Sequence, residues 1–314
     1  MVGGALCGLL AAMMQSLSYF ASRHFIQRRS SGAGVQLLVL GHLLMGAMSI
    51  IVLMICWTPA PQLRPVLAPM FCATLFNILG QLGSMQAIKY AEPSRVSPLL
   101  TVKIVIPALL ATLIGQPVGL AANQSMTGWQ WLAVLLCIIG GLSINQSGGR
   151  MRRRALVAIL FSATVFAFAD WSIGLTVAGF LRMPQMTVLR ASLLTEGCLY
   201  LFLAGLAILL LPLLGSRRGR DWRDASPFAI TWFISMICLF FAFGQVGMVL
   251  GTILQSTRGF MTMLIGVVLV YLGLEHIEPR QPRAVVLRRL AAGILMFLAI
   301  SLYILAGQQH PLAR

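Results

Sequence analysis

The stretch Gln36-Leu-Leu-Val-Leu-Gly-His-Leu-Leu-Met-Gly-Ala-Met-Ser-Ile-Ile-Val-Leu-Met-Ile-Cys-Trp57 contains no Asp, Glu, Lys or Arg. An apolar run of ~20 residues, rising 1.5 Å per residue as a helix, crosses the ~30 Å hydrocarbon core of a bilayer. Nine more such runs lie at roughly 3–21, 67–88, 96–114, 129–146, 155–180, 190–214, 226–247, 257–274 and 287–306. Open sheets cannot satisfy their edges in lipid, and barrels need alternating strands. The sequence therefore predicts an all-α integral membrane protein with ten transmembrane helices, referred to below as spans 1 to 10.

Composition agrees. Of 314 residues 59% are hydrophobic and 10% charged, whereas soluble domains carry about 25% charged residues. No Lys or Arg precedes the first run, so a signal peptide is not expected and span 1 is expected to stay. The net charge of +16 does not point to nucleic acid, because the arginines sit in short loops rather than on a basic domain with stacking aromatics. Contact with anionic membrane lipid is expected instead. The six cysteines fall within apolar runs without a CxxC pair, which predicts small buried residues and neither disulfides nor a metal site. His24, His42, His276 and His310 have no metal-ligand spacing. The sequons at Asn123 and Asn145 read as chance matches.

Loop charge sets orientation. The loops after spans 1, 3, 5, 7 and 9 hold seventeen Lys and Arg residues, from Arg23 to Arg289; the opposite face holds Arg64, Arg182, Arg190, Arg258 and Arg314. This places both termini outside the cytoplasm, with the plasma (inner) membrane as the expected location.

The chain also repeats. At an offset of 150 residues Ala5-Leu6 falls on Ala155-Leu156, Ser22 on Ser172, and His42-Leu43-Leu44 on Ser192-Leu193-Leu194. At 164, Gly80-Gln81-Leu82-Gly83 meets Gly244-Gln245-Val246-Gly247; at 158, Leu132-Ala133 meets Leu290-Ala291 and Ser143 meets Ser301. Ordered matches at a near-constant offset predict duplication. Residues 1–148 form one five-helix half, 149–154 a basic linker and 155–314 the other half. An odd number of spans per half makes the second insert upside down, which is the inverted-repeat plan of secondary transporters, with a central cavity near the midplane.

On these features the chain resembles the drug/metabolite transporter superfamily, EamA type. The likeness rests on the five-plus-five layout and on the hairpin Ala87-Ile-Lys-Tyr-Ala-Glu-Pro-Ser-Arg-Val-Ser-Pro-Leu-Leu100, matched in the second half by the ending Leu272-Gly273-Leu274-Glu275. The first half carries Gly115-Gln116 where Gly-Glu is usual, and Lys103 where a proline is frequent, with Pro107 a turn later. The resemblance implies alternating access around a cavity lined mainly by spans 1, 3, 4, 6, 8 and 9. It also implies cytoplasmic termini, opposite to the charge count.

A charge within a span costs ~3 kcal/mol on insertion scales and needs a reason. Asp170, in Phe168-Ala-Asp-Trp171 of span 6, is expected to be a cavity carboxylate binding a cationic group or a proton, with helix packing as the other reading. Small multidrug relatives carry their coupling glutamate on helix 1, which span 6 repeats. Lys103 in span 4 reads equally as a receiver for a cargo carboxylate or phosphate and as a partner for Asp170, from which the predicted spans separate it by ~10 Å in depth. Glu196 in span 7 is expected at the interface, with a gating contact to Arg190 or His42 as the alternative. Gln81 and Gln245, flanked by glycines and apparently equivalent, suit a seam or a cavity wall. Asn77, Gln15 and Trp171 are further lining candidates. Arg258 follows Gln255-Ser256-Thr257 and is expected to open span 9, as an interfacial or a gating residue with Ser256 or Thr257 as cap.

The expected function is a secondary active transporter of a small organic metabolite or drug-like solute, with proton coupling an option. The alternatives are a lipid-linked carrier flippase of the same superfamily, an integral-membrane enzyme, or a structural or sensor protein. No GxxxxGK[ST] loop is present, so direct ATP coupling is not expected, and neither is a cofactor or a catalytic set. A duplicated chain need not dimerise; a monomer is expected, with a homodimer the alternative.

Overall fold

The computed structural model describes residues 2–29, 32–57, 61–119, 126–145, 151–214, 219–274, 277–278, 280 and 282–308. The first half comprises α1 (Val2–Gln27), α2 (Ala33–Cys56), α3 (Leu67–Tyr90), α4 (Pro93–Leu99), α5 (Val105–Ile114) and α6 (Gly128–Asn145). The second comprises α7 (Arg153–Leu181), α8 (Val188–Leu210), α9 (Gly219–Val246), α10 (Met248–Ser256), α11 (Arg258–Tyr271) and α12 (Arg283–Gln308). The start of the basic linker, Glu275, His276, His310, Asn123 and Arg314 lie outside the described residues.

Among the described residues nine helical segments are long and apolar enough to cross a membrane, and the apolar part of α6, Gly128–Ser143, is shorter. Large side chains such as Ile51, Ile55, Leu113, Leu209 and Leu305 lie exposed on the outside of the bundle. In water such surfaces would drive aggregation; in lipid they are at home. The chain fits an all-α, multi-pass membrane protein.

Two spans are broken, each for a chemical reason. Span 4 is α4 and α5 joined by a 3-10 stretch, Leu100–Ile104. Pro98 and Pro107 frame it; Pro107 has no N–H to give the Lys103 carbonyl, so the α ladder cannot continue. Span 9 is α10 and α11, interrupted at Thr257. There the Ser256 and Thr257 hydroxyls donate to the Ile253 and Leu254 carbonyls (2.6 and 2.7 Å), competing with backbone donors. The two breaks meet: a Cβ on Gly259 would lie 2.9 Å from Pro98 Cα.

Span 9 thus starts at Met248 rather than 257. Arg258 lies in mid-span and does not open the helix, and Ser256 and Thr257 bond backward instead of capping it. Arg258 consequently drops out of the loop-charge comparison.

Around the broken spans α1 packs on α9, α3 on α7, α2 on α8 and α6 on α12. Small residues permit these approaches. A Cβ on Gly46 of α2 would sit 2.3 Å from Ala204 Cβ of α8, and one on Gly80 of α3 would sit 2.6 Å from the Phe166 ring of α7.

Candidate functional site

The broken spans bring five polar side chains together in the middle of the bundle. Lys103 Nζ donates to Asp170 Oδ2 and to Gln255 Oε1, each at 2.5 Å. Gln255 Nε2 donates to Gln15 Oε1 (3.0 Å), and Arg258 Nη1 donates to the same oxygen (2.7 Å). The chain Asp170–Lys103–Gln255–Gln15–Arg258 draws on α7, the 3-10 stretch, α10, α1 and α11, and each member is at most 4% exposed. Such charges survive in a low-dielectric interior only when paired and hydrogen-bonded. Arg258 departs from that rule: its Nε and Nη2 have no hydrogen-bond partner.

Aromatic rings floor the cluster. Tyr19 lies 5.8 Å from the Arg258 guanidinium and Phe166 lies 5.9 Å from Lys103 Nζ. Trp232 stands 6.2 and 6.3 Å from those two rings and donates to the Tyr200 hydroxyl at 2.6 Å. The Tyr19 hydroxyl has no partner.

The ~10 Å depth difference expected between Lys103 and Asp170 is absent. Span 4 begins at Pro93, and α7 extends to Leu181, which draws Asp170 toward mid-helix. The 3-10 stretch rises ~2.0 Å per residue and carries Lys103 to meet it. Gln15 belongs to the same cluster. Asn77 and Gln81 form a second, neighbouring pair, Gln81 Nε2 donating to Asn77 Oδ1 at 2.6 Å. Asn77 is also within hydrogen-bonding reach of Tyr200. Trp171 is buried in the apolar core.

Gln245 is not brought to the site and does not mirror Gln81. It sits half-buried near the end of α9 beside Gly4, whereas Gln81 is fully buried midway along α3. The helices that carry them start 152 and end 156 residues apart (219 − 67 and 246 − 90), so the 164-residue pairing is out of register. Glu196 is not interfacial: it is 0% exposed, and neither carboxyl oxygen has a hydrogen-bond partner. His42 Nδ1 is engaged with the Leu38 carbonyl (2.6 Å), and Arg190 donates to the Cys56 carbonyl (3.0 Å). Tyr19, Phe166, Trp232 and Gln255 were not among the sequence candidates. Gln255 carried a signal, because a polar residue one turn before a charged one inside an apolar run implies a shared partner.

Both faces carry clefts; on the basic face about 820 Å³ lies beside Gly83, Gln86, Arg153 and Phe161, and about 500 Å³ beside Glu278, Arg283 and Arg289. On the face with few basic residues a cleft of about 970 Å³ lies between Ala68, Pro69 and Cys72 of α3 and Ser172, Leu175 and Gly179 of α7. It reaches Ser172 of α7; Asp170, two residues earlier and so on another side of the helix, does not line it. On the basic face Arg29 bridges Asp221 and Asp224 (2.9 and 2.8 Å). Arg23 donates to the Ile88 and Ala91 carbonyls (3.0 and 2.7 Å), and Ser94 Oγ donates to Glu278 Oε1. Glu278 lies in the loop between α11 and α12. Burial pushes its carboxyl up to about 7, against the opposing pull of the Ser94 hydrogen bond and of Arg289 and Arg23.

Among the described residues no group of three His, Cys, Asp or Glu side chains is placed to hold a metal ion.

Compared with known proteins, the chain matches no family model and no curated protein. Solved structures do match, 28 chains in all. One of them, described only as "Crystal structure of protein", is 18% identical, superposes with a TM-score of 0.63, and is aligned over 98% of this chain and 99% of its own. The likeness shows that the fold recurs, and nothing of its activity.

Proposed function

We propose that the chain is a secondary active transporter of drug/metabolite transporter type, built as two inverted five-helix repeats and moving a small organic solute by alternating access. The observation that carries this reading is the charged, hydrogen-bonded cluster at mid-bundle, held by the breaks in spans 4 and 9. Intramembrane ionisable residues mark substrate or ion paths, and discontinuous helices at a repeat interface build transporter sites.

The packing supports the repeat. Exchanging the halves turns the α1–α9 contact into α7–α3 and returns α2–α8 and α6–α12 to themselves. It also turns the broken span 4 into the broken span 9. Gly115 ends α5 with φ 75°, and Gly273 follows α11 with φ 78°, a backbone that glycine adopts freely. The offset of 150 read from the sequence for spans 1 and 6 would set Gln15 on Val165; a single offset of 155 residues, adopted in its place, sets Lys103 on Arg258 and Gln15 on Asp170. The cluster is thus two cation–acceptor pairs related by the repeat. From loop charge, and against the termini usual in that superfamily, the reading takes the plasma membrane as location with both termini outside the cytoplasm.

The test is counterflow in proteoliposomes with a panel of radiolabelled metabolites, amino acids, nucleosides and organic ions. Exchange by wild type that is lost in Asp170→Asn supports the reading. Absence of exchange for the whole panel, with protein shown to be folded and inserted, refutes it.

A further inference from the structure

The geometry assigns the class of cargo: an organic carboxylate, received side-on by Nε and Nη2 of Arg258. The assignment rests on the transport reading and makes it more specific.

The guanidinium has five N–H donors in a fixed plane. Nη1 is used by Gln15 Oε1 at 2.7 Å. The two atoms left without a partner, Nε and Nη2, share one edge of the plane. Their N–H bonds run parallel at the spacing of carboxylate oxygens, so that edge takes a two-oxygen anion in a fork. Residual donor capacity on a surface arginine would be met by water and would carry no information. Here the residue is 1% exposed, and leaving such donors unmet is costly. Tyr19, whose ring centroid lies 5.8 Å from the same guanidinium, has a hydroxyl that is also unpartnered.

Charge points the same way. Lys103 and Arg258 each bring a positive charge, and Asp170 brings the one negative charge of the cluster. Asp170 is already engaged with Lys103, and where the repeat would place its counterpart beside Arg258 the chain has the neutral Gln15. The cluster therefore holds one uncompensated positive charge. A monocarboxylate restores neutrality, and a neutral loaded site crosses a low-dielectric interior at lower cost than a charged one. A cationic cargo meets two cations and no free carboxylate at this site, which displaces the expectation that Asp170 binds a cationic group. Phe166, Tyr19 and Trp232, all buried, form the apolar side of the cluster.

The experiment compares isosteric triads: acetate with acetamide and ethylamine, and benzoate with benzamide and benzylamine. Each is assayed for thermal stabilisation of purified protein and for counterflow in proteoliposomes. Carboxylates are expected to stabilise and exchange, and their amides and amines to do neither. Arg258→Lys keeps the charge but loses the fork, and its apparent affinity for carboxylate should fall at least ~10-fold, the loss of one charge-assisted hydrogen bond. Arg258→Gln should abolish the response. If that variant does not fold, the wild-type triads and Arg258→Lys still decide. Exchange of amides or amines without carboxylates overturns the anion assignment and leaves transport standing. Stabilisation by carboxylates with no exchange of any compound overturns transport and leaves the binding site. No response to any carboxylate, or full carboxylate affinity in Arg258→Lys, overturns the assignment.

Discussion

Asp170→Asn tests whether the central cluster is a paired ionic device. Lys103 and Asp170 are 2% and 6% exposed at their side chains and 2.5 Å apart. Breaking a buried pair from one side costs about 3–5 kcal/mol, because the remaining charge stays buried. The asparagine oxygen can still accept from Lys103, and Gln255 Oε1 remains at 2.5 Å, so the lower end, about 3 kcal/mol, applies. The per-residue unfolding entropy of globular domains is about 2.1 cal/mol/K, which over this chain converts the loss to a midpoint drop of about 5 °C. Lys103→Gln alone should cost a similar amount. Lys103→Gln/Asp170→Asn leaves a neutral hydrogen-bonded pair and should recover to within ~1 kcal/mol of wild type, a strongly non-additive cycle. The assay is thermal unfolding of the four proteins in one detergent at one pH. Additive losses, or an Asp170→Asn protein at least as stable as wild type, would refute the pairing and the charge count built on it.

Further outcomes follow from single environments. Glu278 is pushed up to about 7 from 4.5 by burial, so the folded state favours its neutral form. That contribution is complete below pH 4.5 and is lost as pH rises through 7. The decline is on the order of 3 kcal/mol at 1.36 kcal/mol per unit, and Glu278→Gln should flatten that part of a stability–pH profile. Gly46→Ala places a Cβ 2.3 Å from that of Ala204 and should cost about 1–3 kcal/mol by forcing α2 from α8. Gly205→Ala in α8, with nothing within 4 Å, should be neutral or stabilising; equal effects of the two on the melting midpoint would contradict the packing. Glu196→Gln removes a carboxyl without a hydrogen-bond partner and should leave stability within about 0.5 kcal/mol, unlike Asp170→Asn. A cytoplasm-active reporter fused after Arg314 should stay silent, and a bright one would reverse the orientation.

The fold was legible because its signal is one of solvent: long uncharged runs such as Gln36–Trp57 have one stable state in lipid. The site was half legible for the same reason. Lys103 and Asp170 announce themselves as charges in apolar runs, and Gln15 and Asn77 as polar exceptions. What stayed hidden depends on helix breaks. Arg258 reads as a terminal arginine because Gln255-Ser256-Thr257 looks like a cap, yet those hydroxyls bond backward and the apolar run resumes upstream at Met248. The mistaken boundary moved a membrane-interior cation into a loop count. It also concealed the proposed correspondence of Lys103 with Arg258.

That correspondence explains why Gln15 matters. Symmetry alone would give each cation an acidic partner, as Asp170 serves Lys103. A glutamine at the equivalent place accepts one hydrogen bond from Arg258 and supplies no charge. A repeat with two complete ion pairs would be a neutral, self-satisfied core with nothing for a solute to complete. In the proposed repeat, an amide where the other half has a carboxylate leaves a charge and two parallel donors, the receptor inferred for the cargo. Gln15→Glu would supply that missing charge internally. It should stabilise the protein and compete with any carboxylate for Arg258, so ligand-induced stabilisation should fall as basal stability rises. A Gln15→Glu protein that keeps full carboxylate response would show that Arg258 is not where the anion binds.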